Sequence, residues 1–256
     1  AQEIMEEEFL GIEAIEKTFN IHLDLSDIPE IPFSPEDLEQ AKELGQFLIL
    51  RVDKTDDDTP LTMQQMEEML ADTFKKEGEG RIINQYTSWI RNEDFFTKET
   101  PKLSWALVSK EVILDSTNKN YLQQTECIID YLKNSVYQEK TMPKEYQDAM
   151  HEFDEKKLEI KRLMKDDSEE AAKMLEELSI NQLRRSSPAE VLNDFLVCFI
   201  NNKERLLENM WTWTSRRGSG GGLVLVGSFD SGGARVGGGG PGYFSGFLGV
   251  VFFRSL

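Results

Sequence analysis

Histidine and cysteine, the residues most zinc centres and many catalytic sites need, are scarce here. His22 and His151 are the only histidines, and neither stands in a His-x-x-x-His or Cys-x-x-Cys setting, which argues against a zinc site. They also lie far from any Gly-x-Ser-x-Gly elbow, so no serine triad can be assembled. The two cysteines, Cys127 and Cys198, fall inside helix-like patterns without framework spacing, and both are expected as buried free thiols in a reduced compartment. No run of about 18 apolar residues exists to span a bilayer. The first 20 residues are acidic and amphipathic, unlike a secretory signal. Lysine is missing from residue 211 onward, which removes any Gly-x-x-x-x-Gly-Lys-Ser/Thr phosphate loop from the Gly-rich end.

What is present is unevenly spread. The chain has 256 residues and a formal net charge of −18, enough length for one large or two small domains without disulfide or metal staples. Residues 1–210 carry 25 Lys and Arg against 46 Asp and Glu, whereas residues 211–256 carry four Arg and one Asp. Fourteen of the 18 glycines lie in that same tail, in runs such as Gly220 to Gly222 and Gly237 to Gly240. Three origins are open for such a tail: flexible linker, tight turns, or loops presented on a rigid sheet.

Periodicity orders the chain. Ile4, Ile12, Ile15 and Phe19 form a first helical stripe, and Ser34-Pro35-Glu36-Asp37 starts a helix with Ser34 as N-cap and acid in the first turn. Phe47 to Val52 reads as a short buried strand. Thr62 begins a capping box with Gln65, and Met63, Met66, Met69, Leu70 and Phe74 follow as a core stripe. Leu103 to Ile113 predicts a long strand, and Tyr121, Thr125, Ile128, Ile129 and Leu132 a helix after it. Residues 143–178 read as a helical hairpin of inserted character, and Asp166 to Glu170 as a helix start. Ser187-Pro188-Ala189-Glu190 opens a core helix with Val191, Leu192, Phe195, Leu196, Phe199 and Ile200 on a broad apolar face. After Met210 short β runs (Trp211 to Thr214, Leu223 to Phe229, Leu248 to Phe253) alternate with Gly-rich connections, and a pure linker would not contain them. The expected fold class is α+β, with two core helices packed on an antiparallel sheet whose first strand can pair with its last.

Other motifs carry little chemistry. Asp53, Asp56, Asp57 and Asp58 lack the turn Gly and closing Glu of a calcium loop and read as a solvated loop. Gly237, Gly239 and Gly242 match the letters of a dinucleotide fingerprint, but Pro241 interrupts it and no helix follows. Trp211 and Trp213 beside Arg216 and Arg217 read as a strand with one buried face, since the net charge argues against a nucleic-acid footprint. Arg184-Arg185 is expected to be solvated or paired with the acidic body.

The segments Thr212-Trp213-Thr214-Ser215-Arg216-Arg217, Gly222-Leu223-Val224, Phe229-Asp230-Ser231-Gly232-Gly233-Ala234, Pro241-Gly242 and Leu248-Gly249-Val250-Val251-Phe252 resemble the C-terminal repeat of variable proteins of diversity-generating retroelements. Upstream, Asp27 to Phe33, Leu48 to Lys54 and Trp105 to Glu111 resemble the long form of these proteins. The resemblance implies a C-type lectin fold with small antiparallel sheets and long loops. An error-prone reverse transcriptase would diversify its terminal surface at adenines of a template repeat rich in Asn codons. Randomising the adenines of an AAY codon never gives Lys, Glu, Gln, Met or Trp, and none of these five occurs from Gly218 to Leu256, whereas residues 1–217 contain 72 of them. Glycine is two adenine changes from Asn, so the glycine runs can record mutagenesis.

The implied organisation is an N-terminal mixed α/β region over residues 1–100 and a lectin-like domain over 101–256. A helical insertion falls near 143–180 and a hypervariable region over 211–256. Expected variable, ligand-binding positions are Gly218, Gly220, Leu225, Ser228, Arg235, Gly237, Gly238, Gly239, Gly240, Tyr243, Phe244 and Gly246. Trp211, Trp213, Asp230, Pro241 and Arg254 are expected scaffold. The implied function is non-enzymatic binding of a protein or other macromolecular ligand by a monomer, with no catalytic residues, metal, cofactor, nucleic acid or membrane span. Its place would be the cytoplasm, or a virion or cell surface reached through a partner. Two alternatives stand beside it. An enzyme on the formylglycine-generating type of fold would want a Cys pair near the terminal strands. A calcium-dependent sugar binder would want more carboxylates than Asp230 alone supplies.

Overall fold

The computed structural model describes residues 1–255; Leu256, the end of the expected variable region, lies outside the described residues. The fold is α+β, as expected, but built on two mixed four-stranded sheets. The predicted first stripe is divided: α1 (Gln2–Met5) and α2 (Ile12–Phe19) are separated by a short strand, β1 (Phe9–Leu10). Gly11 accounts for the break, because it takes an extended conformation and serves as N-cap of α2. α3 (Pro35–Glu43) starts as its sequence predicts, with Ser34 Oγ accepting from the Asp37 N–H at 3.2 Å and the Asp37 carboxylate accepting from the Ser34 N–H at 3.3 Å. β2 (Gln46–Arg51) is wholly buried. α4 (Met63–Glu77) is capped by Thr62 and stopped by Gly78 at φ +72°.

After the short α5 (Asp94–Thr97), β3 (Ser104–Val112) leads into α6 (Tyr121–Tyr131). The hairpin follows as α7 (Lys144–Asp166) and α8 (Ser168–Glu177), with Asp167 capping α8 through the Glu170 N–H at 3.1 Å. Next come α9 (Ser179–Arg184) and α10 (Pro188–Asn202), whose Ser187–Glu190 box closes at 3.2 and 2.7 Å. The tail forms β4 (Trp211–Arg217), β5 (Leu223–Asp230), β6 (Gly233–Gly239), β7 (Leu248–Gly249) and β8 (Val251–Ser255).

One sheet has the order β1-β2-β3-β8 and the other β6-β5-β4-β7. The long strand β3 pairs antiparallel with the last strand, as expected. The pairs β1·β2 and β4·β7 are parallel, which corrects the expectation of a purely antiparallel sheet. The run Leu248 to Phe253 also divides, its first half joining β4 and its second half β3. β6 was expected as a Gly-rich connection and is a strand. Its backbone is satisfied by β5 in the register Leu225↔Gly237 and Val226↔Val236, a pairing that needs no side chains.

Two cores flank the second sheet. In the first, α2, α4 and α10 pack with β2, β3 and the Val224, Val226 and Val236 face of β5 and β6. In the second, α6 and the α7–α8 hairpin pack with Trp213, Leu223, Leu225 and Phe252. Alternate residues of β5 therefore serve opposite cores. The first core also joins residues before and after position 100, so the expected boundary there is crossed by continuous packing.

Arg184 and Arg185 are buried, which corrects the expectation of solvation or pairing with acid. Both stack on tyrosines, Arg184 4.2 Å over Tyr146 and Arg185 3.9 Å over Tyr121. Arg184 donates to the Phe253 carbonyl at 3.0 Å and to the Tyr146 hydroxyl, and Arg185 donates to Asn181 Oδ1 at 3.0 Å. Burial lowers the Arg184 pKa to about 10 and lifts Tyr121 and Tyr146 to about 12. Arg51 is the buried cation that does have acid partners, donating to Asp194 at 2.5 and 3.0 Å with Glu190 at 3.4 Å. Burial opposes its charge, and the pull of Asp194 and Glu190 outweighs that and raises its pKa.

Candidate functional site

The expected variable positions fall on β5, β6, the β4–β5 turn and the loop between β6 and β7. On one face of β6, a methyl placed on Gly237 would meet Leu225 at 3.3 Å and Trp211 at 3.6 Å, and one on Gly239 would meet Trp213 at 3.1 Å and Tyr243 at 3.7 Å. Leu225 is buried beneath this face. Ser228 is also buried, at φ +47°, where the β5–β6 register shifts. Arg235 is exposed and reaches Ser228 Oγ at 3.2 Å and Asp230 at 3.4 Å. On the other face Gly238 looks toward Trp89, 3.8 Å away, and Trp89 also lies 3.4 Å from a methyl on Gly218. Its indole N–H donates to the Val236 carbonyl at 3.3 Å.

The loop after β6 is moored from below. The Tyr121 N–H donates to the Pro241 carbonyl at 3.2 Å, the Asn118 N–H to Ser245 at 2.9 Å, and the Trp211 N–H to Phe247 at 2.8 Å. On this frame Tyr243, Phe244 and Phe247 stand 52, 60 and 66% exposed. Tyr243 meets Trp213 edge-on at 6.3 Å, Trp213 meets Tyr121 at 5.7 Å, and Arg185 backs Tyr121, so a column of rings runs from the buried guanidinium to the surface. Gly240 adjoins Ser168 and Gly221 adjoins Glu169, placing the start of α8 beside two of the tail's turns.

The 14 tail glycines sort by the room around them. At the seven expected to vary (Gly218, Gly220, Gly237, Gly238, Gly239, Gly240 and Gly246) nothing lies closer than 3.1 Å to an added methyl and no φ is positive; at Gly237, Gly239 and Gly240 a neighbouring side chain at 3.1–3.3 Å must give slightly. The others are mostly locked. A methyl on Gly227 would fall 2.2 Å from the Met210 carbonyl oxygen, one on Gly249 2.6 Å from Val112, and one on Gly232 2.8 Å from Asp230. Gly221 and Gly233 have φ of +81° and +93° with contacts under 3.0 Å, and Gly222 has backbone at 3.3 Å. Only Gly242, outside the expected set, is open among the remaining seven.

The scaffold residues behave differently from one another. Trp213, Pro241 and Arg254 are buried, Trp211 is half-buried, and Asp230 closes the β5–β6 turn by accepting from the Gly232 N–H at 2.7 Å. Sequence reasoning missed Trp89, Phe247 and Ser168. Phe247 was within reach of the same loop reasoning that found Tyr243 and Phe244. Trp89 and Ser168 carry no local signal, since only the fold brings them to the tail.

The surface offers aromatic area, exposed backbone and a few polar groups. Among the described residues no group of three or more His, Cys, Asp or Glu could hold a metal ion, and no helix is long and apolar enough to cross a membrane. The acidic loop binds inward: Asp57 accepts from Thr55 Oγ1 at 2.5 Å and from the Thr59 N–H at 3.2 Å, and Lys54 pairs with Asp58. Both cysteines are buried free thiols, and burial pushes the Cys198 pKa well up. No protein-family model, curated protein or solved structure matches the chain.

Proposed function

We propose that the chain is a non-enzymatic binding protein of the retroelement-diversified kind, displaying variable residues from β5, β6 and the Gly240–Phe247 loop on a fixed scaffold of the C-type lectin type. The observation that carries this is the sorting of the glycines. A glycine run selected for turns or tight packing would place its members where a side chain cannot go. None of the seven glycines expected from adenine mutagenesis has a positive φ or a neighbour within 3.0 Å of an added methyl, whereas five of the other seven (Gly221, Gly227, Gly232, Gly233 and Gly249) do. The missing Lys, Glu, Gln, Met and Trp of residues 218–256 support the same origin. Tyr243 and Phe244 would supply the anchor area for a macromolecular ligand, as rigid aromatics do in other diversified binding surfaces.

The test is the DNA around the coding sequence. A reverse-transcriptase gene and a near-identical template repeat are expected. Template codons should carry adenines at these seven glycines, and codons for Gly227, Gly233 and Gly249 should be the same in both copies. A locus without the repeat, or with its adenines at the locked glycines, would sink the proposal.

A further inference from the structure

The display surface continues onto the helical hairpin. α7 passes the end of α6 where the Gly240–Phe247 loop is moored, and a groove of about 310 Å³ lies between the two helices. Its wall is a ridge of Lys157, Lys161 and Lys165, one helical turn apart, facing Gln123 and Glu126. Glu126, the only carboxylate lining the groove, pairs with Lys157. Lys161 and Lys165 have no carboxylate within 4 Å among the described residues, and as neighbours on one ridge they repel each other. On the same hairpin Lys156 and Arg162 are instead matched with acid one turn away, at Glu152 and Asp166. In a chain of net charge −18, this ridge is positive charge the fold itself leaves unmatched. Ser168, just past the end of α7, lies 3.2 Å from a methyl on Gly240, so the ridge leads directly to the loop bearing Tyr243 and Phe244.

We infer that this groove is the unvarying half of the ligand site and that it takes an acidic segment of a partner protein, with apolar side chains of that segment on Tyr243 and Phe244. The inference rests on the display function proposed above. Two unpaired lysines, Lys161 and Lys165, leading toward the loop that bears the exposed aromatics suit a few carboxylates, whereas a nucleic acid would meet strong repulsion from the acidic body.

The test is a library of the full chain randomised at positions 218, 220, 237–240, 243, 244 and 246. It is panned on a biotinylated Glu-Glu-Phe repeat peptide, its Gln-Gln-Phe counterpart and a DNA hairpin. Binders to the Glu peptide are expected to outnumber those to the Gln peptide by about tenfold, and K161E/K165E in the recovered clones to weaken binding by at least about tenfold. K161Q/K165Q should weaken it less, with melting temperatures unchanged in both variants. Equal recovery on the two peptides with no effect of the lysine changes overturns the inference and leaves the display function standing. Recovery on the DNA hairpin alone, lost with the same changes, overturns the ligand class. No binders to any probe overturns the inference, while the display function is judged separately by the template repeat at the locus.

Discussion

Arg51 shows how much a single residue can organise. Its guanidinium sits between Asp194 and Glu190 and also donates to Ser186 at 3.0 Å, linking β2 to the start of α10. Removing it leaves two carboxylates buried without their cation, so Arg51→Ala is expected to cost about 3–5 kcal/mol. Arg51→Met with Asp194→Leu should cost less than Arg51→Ala alone, because one of the two stranded charges goes as well. Urea midpoints of the two variants decide it, and a loss below about 1 kcal/mol for Arg51→Ala would show the pair to be dispensable. At this scale the sequence was most legible where partners are adjacent. Ser34 with Asp37, and Ser187 with Glu190, are three residues apart and could be read directly. Arg184 and Arg185 could not, because the rings they stack on, Tyr146 and Tyr121, and the Phe253 carbonyl come from distant segments.

Among the elements, most helices and apolar strands followed their periodicity, apart from the divided first stripe and the split run Leu248 to Phe253, while β6 escaped it. A strand of Gly-Ala-Arg-Val-Gly-Gly-Gly has neither alternation nor β-branched residues beyond Val236, and glycine is ordinarily depleted from strands. It is a strand because β5 supplies its hydrogen bonds on one side, and residues 82–84 supply them at its start on the other. Glycine there loses more chain entropy on folding than any other residue would. Gly238→Ala and Gly220→Ala are therefore expected to leave stability within about 1 kcal/mol of the parent, or to raise it. Gly227→Ala and Gly233→Ala should each cost more than about 2 kcal/mol, the first by collision with the Met210 carbonyl and the second by its positive φ. Thermal melts of the four variants check the sorting, which fails if the two pairs behave alike.

In the whole molecule the hairpin is part of the core, although its charge gave it the look of an insertion. Tyr146, Phe153, Ile160 and Leu175 are all buried in the second core. At about 1.5–3 kcal/mol each, their burial is comparable to the entire stability of an ordinary domain, about 5–15 kcal/mol. Replacing residues 144–177 by a short Gly-Ser linker should abolish cooperative unfolding and near-UV dichroism; a variant that still melts cooperatively within a few degrees of the parent would show the hairpin to be an appendage. The site was legible in part for the same reason. Residues of the tail announced themselves by composition, while Trp89 and Ser168 reach it only through packing across the chain.

Trp89 has a consequence for the population of molecules that would share this scaffold. Strand edges invite other copies to add on, and a run of glycines there offers little steric resistance. Here residues 81–84 and the Trp89 indole occupy the outer edge of β6 as far as the Val236 carbonyl, through groups that no change at positions 237–240 would remove. The half of the edge that precedes the glycine run is thus closed by fixed residues, and an added strand could reach only the stretch from Gly237 on, too short for a long intermolecular ladder.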